Sequence, residues 1–86
     1  MISKPQITSS ERFGNNLVLR IDDPKNLAAW IKLTINLKDN SSRIEGRMNG
    51  SRSKPTITSL KREEDVILVR IDDEYNPGAW LQVMIN

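Results

Sequence analysis

Residues 3–36 and 53–86 superpose at a constant offset of 50 without a gap, and 16 of the 34 positions are identical. The identities run Ser3/Ser53, Lys4/Lys54, Pro5/Pro55, Ile7/Ile57, Thr8/Thr58, Ser9/Ser59 and Arg12/Arg62. They continue through Arg20/Arg70, Ile21/Ile71, Asp22/Asp72, Asp23/Asp73 and Asn26/Asn76 to Ala29/Ala79, Trp30/Trp80, Ile35/Ile85 and Asn36/Asn86. Most other positions are conservative exchanges, such as Leu17/Ile67, Leu19/Val69 and Leu33/Val83. Chance does not produce this agreement, so the chain is one unit written twice. A unit of 34 residues is too short to bury a core of its own, so the two copies are expected to share one. The 86 residues therefore read as a single domain, with repeat one at 3–36 and repeat two at 53–86.

Between the repeats lie the sixteen residues 37–52, rich in Asn, Ser and Gly: Asn40-Ser41-Ser42, Gly46, Asn49-Gly50 and Ser51. This composition predicts a flexible, basic linker. Ile44-Glu45-Gly46-Arg47 resembles the factor Xa recognition tag placed between fused proteins, and Met48 follows as a second start would. Two origins stay open at this point: a natural loop, or an engineered join between two related protomers.

Apolar periodicity assigns each unit to strands. Leu17, Leu19 and Ile21 alternate with Val18, Arg20 and Asp22; Ile31, Leu33 and Ile35 alternate with Trp30, Lys32 and Thr34. The second copy repeats both patterns, with Ile67, Val69 and Ile71, then Leu81, Val83 and Ile85. Asp23 and Pro24 would suit the start of a helix, but the second copy places Pro77-Gly78 inside the same segment, at a cost of roughly 3–4 kcal/mol. Strands are therefore predicted at about 5–9, 16–22 and 29–36 and fifty residues on, joined as antiparallel hairpins. Ile7, Leu17, Leu19, Ile21, Ile31, Leu33, Ile35 and their counterparts would point inward. The expected fold is all-β: two homologous three-stranded units packed as a six-stranded, pseudo-two-fold sandwich or small barrel, with strand exchange between repeats left open.

Composition narrows the chemistry. With no Cys and no His, the chain has no disulfide, thiolate zinc site, imidazole base or histidine ligand. Asp22-Asp23 and Asp72-Asp73, followed by Asn26 and Asn76, would supply oxygen ligands to calcium. Their spacing lacks the Gly-centred, Glu-closed calcium loop, and Asp and Asn also end strands by bonding to nearby backbone. The expectation is no metal, no cofactor and no catalysis. No apolar run is long enough to span a bilayer and no signal-peptide pattern opens the chain, so no membrane contact and a cytoplasmic location are expected.

The informative residues are Arg20, Trp30 and Lys32, with Arg70, Trp80 and Gln82 at the equivalent positions. On the strand reading they occupy the face opposite the core. A Trp there has three readings: a ring covered by long cationic side chains, a contact to another protein or a further copy, or a platform for a nucleic-acid base whose phosphates meet Arg and Lys. Charge bears on the third. Residues 38–62 hold seven basic side chains against two acidic, while the rest of the chain is net acidic. No nucleotide-binding loop, zinc module, RNA-recognition motif or lectin repeat is spelled out. The sequence therefore reads as a non-catalytic small β binding module, a nucleic-acid-binding or regulatory protein that uses Arg20, Trp30, Lys32, Arg70 and Trp80, with single-stranded nucleic acid or a protein as partner. The alternative is protein interaction or assembly, including self-association through the same face; sugar stacking ranks third.

Overall fold

A computed structural model describes residues 5–48 and 52–86, and the side chain of every one of these except Leu27. Ser3, Lys4 and the linker residues Asn49, Gly50 and Ser51 lie outside the described residues. All described elements are strands: β1 (Gln6–Phe13), β2 (Asn16–Asp23), β3 (Asn26–Asn36), β4 (Ser42–Arg47), β5 (Pro55–Glu63), β6 (Val66–Asp73) and β7 (Trp80–Ile85). They form two antiparallel sheets, ordered β1-β2-β3-β4 and β5-β6-β7.

Alternation dictates which face of each sheet is buried. Leu19, Ile21, Ile31, Leu33 and Ile35 of the first sheet meet Ile67, Val69, Ile71, Val83 and Ile85 of the second in one apolar cluster. Their neighbours along each strand, including Arg20, Lys32 and Gln82, face outward and are at most partly covered. Fully burying such aliphatic chains is worth about 1.5–3 kcal/mol each, so this shared cluster is the main source of stability. One residue expected inside is not. Ile7 remains 46% exposed, because it lies on edge strand β1, where a register shift follows it.

The strands run longer than the apolar pattern alone implied. β1 extends to Phe13 and β5 to Glu63, because the hairpins close through two-residue turns, Gly14-Asn15 and Glu64-Asp65. The first turn residue has positive φ in both, 61° at Gly14 and 53° at Glu64. That is the II′ pattern, which normally selects glycine.

The stretch read as a flexible linker contains a strand, so the sheets hold four and three strands rather than three each. Ser42–Arg47 pairs antiparallel with β3, with Ile44 opposite Leu33 and packed on the core. The preceding turn is built by side chains. The Asn36 carboxamide oxygen accepts the Lys38 N–H at 2.9 Å, and the Asp39 carboxylate accepts the Ser41 N–H at 2.9 Å. Asn40 takes φ 62°, a conformation Asn tolerates. Gly46 then lets β4 lie against β3, since a Cβ there would sit 2.1 Å from the Trp30 carbonyl oxygen.

Candidate functional site

The repeated polar residues form one cluster per unit. Each unit carries a β-bulge at an equivalent Thr, Thr8 or Thr58: the β1–β2 register shifts between Ile7 and Ser9, and the β5–β6 register between Ile57 and Ser59. A bulge re-aims the side chain it carries. Here the Thr8 hydroxyl donates to the Asp22 carboxylate, and the Thr58 hydroxyl to that of Asp72. The same carboxylates receive the arginines, with Arg20 Nη2 3.1 Å from Asp22 Oδ1 and Arg70 Nη2 3.1 Å from Asp72 Oδ1. Each guanidinium also lies over an indole ring, at 4.8 Å from the Trp30 centroid and 4.1 Å from the Trp80 centroid. Thr, Asp, Arg and Trp thus form a chain across three strands: carboxylate bonding, ion pairing, then cation–π stacking.

Electrostatics follow from this arrangement. Hydrogen bonds from Arg20 and then Thr8 hold the Asp22 carboxyl below its ordinary value. For Asp72 the Thr58 hydroxyl leads and Arg70 follows, with the same direction. Both arginines are therefore already matched by a carboxylate. This arrangement reproduces in part the first reading of the tryptophans, rings covered by a cationic arm. Lys32 stands apart: it is exposed, opposite Arg20 on one side and Glu45 on the other.

The two tryptophans differ in cover. Trp30 is half-buried, with β4 bringing Arg47 opposite it, whereas Trp80 lies on β7 and stays 53% exposed. Both nevertheless contribute to the wall of a single cleft of about 280 Å³ that draws its lining from both sheets. Asp22, Asp23, Asn26, Ala29 and Ala79 share its wall, as do Arg47 and Met48 from the former linker. Trp30 and Trp80 thus contribute to one cleft, while Arg20 and Arg70, stacked on the indoles, are not among the residues that line it, and Lys32 lies exposed on the sheet face. Sequence reasoning missed Thr8, Thr58 and the pairing role of Asp22 and Asp72. The signal was present, since all four residue types are identical in both repeats.

Of the carboxylates weighed as calcium ligands, Asp22 and Asp72 bond Thr and Arg side chains, while Asp23 and Asp73 accept backbone N–H groups of their own turns. Asp73 is buried; burial raises its pKa, but the Lys54 N–H, the Ser53 hydroxyl, the Asn76 amide and the Tyr75 N–H outweigh that and bring it to about 2. The Asn76 amide also donates to the Arg52 carbonyl at 2.6 Å, so this turn anchors the chain entering β5. In the first repeat, Asp23 accepts the Lys25 N–H at 2.9 Å and Asn26 the Ala28 N–H at 3.2 Å. Among the described residues there is no group of three or more metal-ligating side chains, and no helix long and apolar enough to cross a membrane.

The fold and cleft stand without a precedent to name: no protein-family model, characterised protein or solved structure matches this chain.

Proposed function

We infer that the protein is a non-catalytic interaction and assembly module, whose cleft between Trp30 and Trp80 receives a protein partner. The observation that carries this reading is the charge state of the site. Arg20 and Arg70 each have a carboxylate at 3.1 Å, so the site offers stacked, charge-matched aromatic surface. Trp and Arg are the residue types enriched at the hot spots of protein contacts. The 16 identities at a fixed offset further support two units related by a pseudo-two-fold axis, which would bring two equivalent Trp/Arg clusters to one ligand. A cytoplasmic setting suits a chain without thiols.

A second reading, binding of single-stranded nucleic acid, draws on a different observation. The basic stretch 38–62 runs along β4 and β5, with Arg43 and Lys61 exposed. Salt separates the two. Phosphate contacts lose affinity steeply between about 50 and 200 mM salt, whereas a Trp-centred protein contact does not. The test is sedimentation of the wild-type chain and the Trp30→Ala/Trp80→Ala variant at both salt levels, with and without a generic single-stranded oligonucleotide. Protein association that survives salt and disappears in the variant, with the circular dichroism spectrum unchanged, supports the module reading. Salt-sensitive oligonucleotide binding with no protein association transfers the assignment to nucleic acid.

A further inference from the structure

Four strands lie at sheet edges, and three of them carry features that discourage further pairing. β1 has its bulge at Thr8 and the charges of Glu11 and Arg12. β4 has Arg43, Glu45 and Arg47, and Gly46 at φ 122°. β5 has Pro55, its bulge at Thr58, and Lys61, Arg62 and Glu63. Proline, bulges and charge are the devices that keep edges from joining. β7, with the sequence Trp-Leu-Gln-Val-Met-Ile, has none of them. It lies within the twelve uncharged residues from Tyr75 to Asn86. Its first-repeat counterpart β3 has its edge filled by β4, while among the described residues β7 pairs only with β6.

The core is also incomplete beside this edge. Ile7, Ile21, Leu81 and Val83, together with Pro5 and the polar Gln6 and Gln82, line an opening of about 450 Å³, and Ile7 is 46% exposed. On the outer face of β7, Trp80 is 53% and Met84 63% exposed. A strand laid along β7 would cover both sets, and it must match an edge that offers no charge.

We propose that this strand is β7 of a second copy of the chain, paired antiparallel about a two-fold axis through Gln82. This deepens the assembly reading above and rests on it. A charge-free edge is complemented by a charge-free strand, and β7 supplies one. Antiparallel pairing keeps like faces together, so the register centred on Gln82 sets Trp80 against the partner's Met84, twice by symmetry. The thioether then meets the indole, a favourable contact that covers the largest exposed apolar groups of the strand. On the inner face, Leu81 meets the partner's Val83 beside the opening that holds Ile7. Gln82 lies on the axis, where its amide can donate to and accept from its own copy. The two three-stranded sheets become one continuous six-stranded sheet.

Sedimentation of the full chain over a concentration series tests this, with three variants. Wild type should pass from monomer to dimer and stop there. Gln82→Lys installs the residue that repeat one already carries at this register, Lys32, so folding is retained; it places like charges on the axis and should abolish the dimer. Gln82→Cys gives the chain its only thiol and should cross-link to dimer under mild oxidation. Met84→Cys should not, since the two thiols would be four residues out of register, about 13 Å apart. A wild-type chain that stays monomeric, or that assembles past the dimer, overturns the proposal. So does a Gln82→Lys variant that associates like wild type, or a Met84→Cys variant that cross-links as readily as Gln82→Cys. Trp30→Ala separates this proposal from the reading beneath it. A dimer lost with Trp30→Ala and kept with Gln82→Lys belongs to the cleft, which keeps the assembly reading and overturns the edge.

Discussion

Two residues with positive φ make opposite predictions. At Gly46, φ is 122° and an added Cβ would meet the Trp30 carbonyl oxygen at 2.1 Å. Gly46→Ala should therefore cost about 1–3 kcal/mol, because backbone rather than a movable side chain blocks it. At Glu64, an L residue holds φ 53° where the first hairpin has Gly14. Glu64→Gly should raise stability by about 0.5–1 kcal/mol, since left-handed backbone is costly for any residue with a Cβ. Denaturant midpoints of the two variants check both signs. Asp73 adds a pH dependence. Its carboxyl stays ionised in the fold down to about 2, against 3.8 for an ordinary Asp. Between those values the unfolded chain binds the proton more readily. Its contribution is thus complete above about pH 4, falls as the pH drops through this window, and is lost below it. The amount is on the order of 2 kcal/mol, and Asp73→Asn should flatten that part of a stability–pH profile.

β4 is the element that sequence reading missed. Ser42–Arg47 has one apolar residue at an inward position, Ile44, too few to register as an alternating strand. Its Ser and Gly content has the composition of a linker. What makes it a strand is the exposed edge of β3 alongside, together with the turn built by Asn36, Asp39 and Asn40, which delivers the chain in register. The strand bears on proteolysis after Arg47, the end of the tag-like tetrapeptide. A protease needs extended, unpaired backbone, and this peptide bond ends a paired strand. Cleavage should track the opening of β4, so Ile44→Ala should speed it severalfold by weakening the strand's hold on the core. A rate unchanged by Ile44→Ala would show that the site is already open. The longer β3 and shorter β7 have a local cause: Pro77-Gly78 replaces Leu27-Ala28, removing a ladder donor so that pairing starts only at Trp80.

At the scale of the molecule, the two sheets depend on each other. The core cluster draws buried side chains from both, and Arg62 of β5 donates to the Leu37 carbonyl beyond the end of β3. Leu19→Ala and Ile71→Ala, each removing a buried side chain from a different sheet, should cost about 2–5 kcal/mol apiece. Each should do so in a single cooperative unfolding transition. Two transitions, one per repeat, would show that the sheets fold separately.

Residue identity alone determined the all-β class, the inward set of Leu19, Ile21, Ile31, Leu33 and Ile35 with their counterparts, and the outward placement of Arg20, Trp30 and Lys32. A period of two ties every side chain on a strand to one of two faces, so pattern suffices for these. Tertiary structure decided the rest. Whether Arg20 meets phosphate or Asp22 depends on a carboxylate two residues along the same strand and a bulged Thr8 on the next. Whether Trp30 and Trp80 share a cleft depends on how two sheets face each other across fifty residues of chain. Whether Ile7 is buried depends on how far the opposite sheet reaches. Each is a relation between segments distant in sequence, set by register and by the meeting of faces. A local pattern carries the face of a side chain but not the neighbour it finds there.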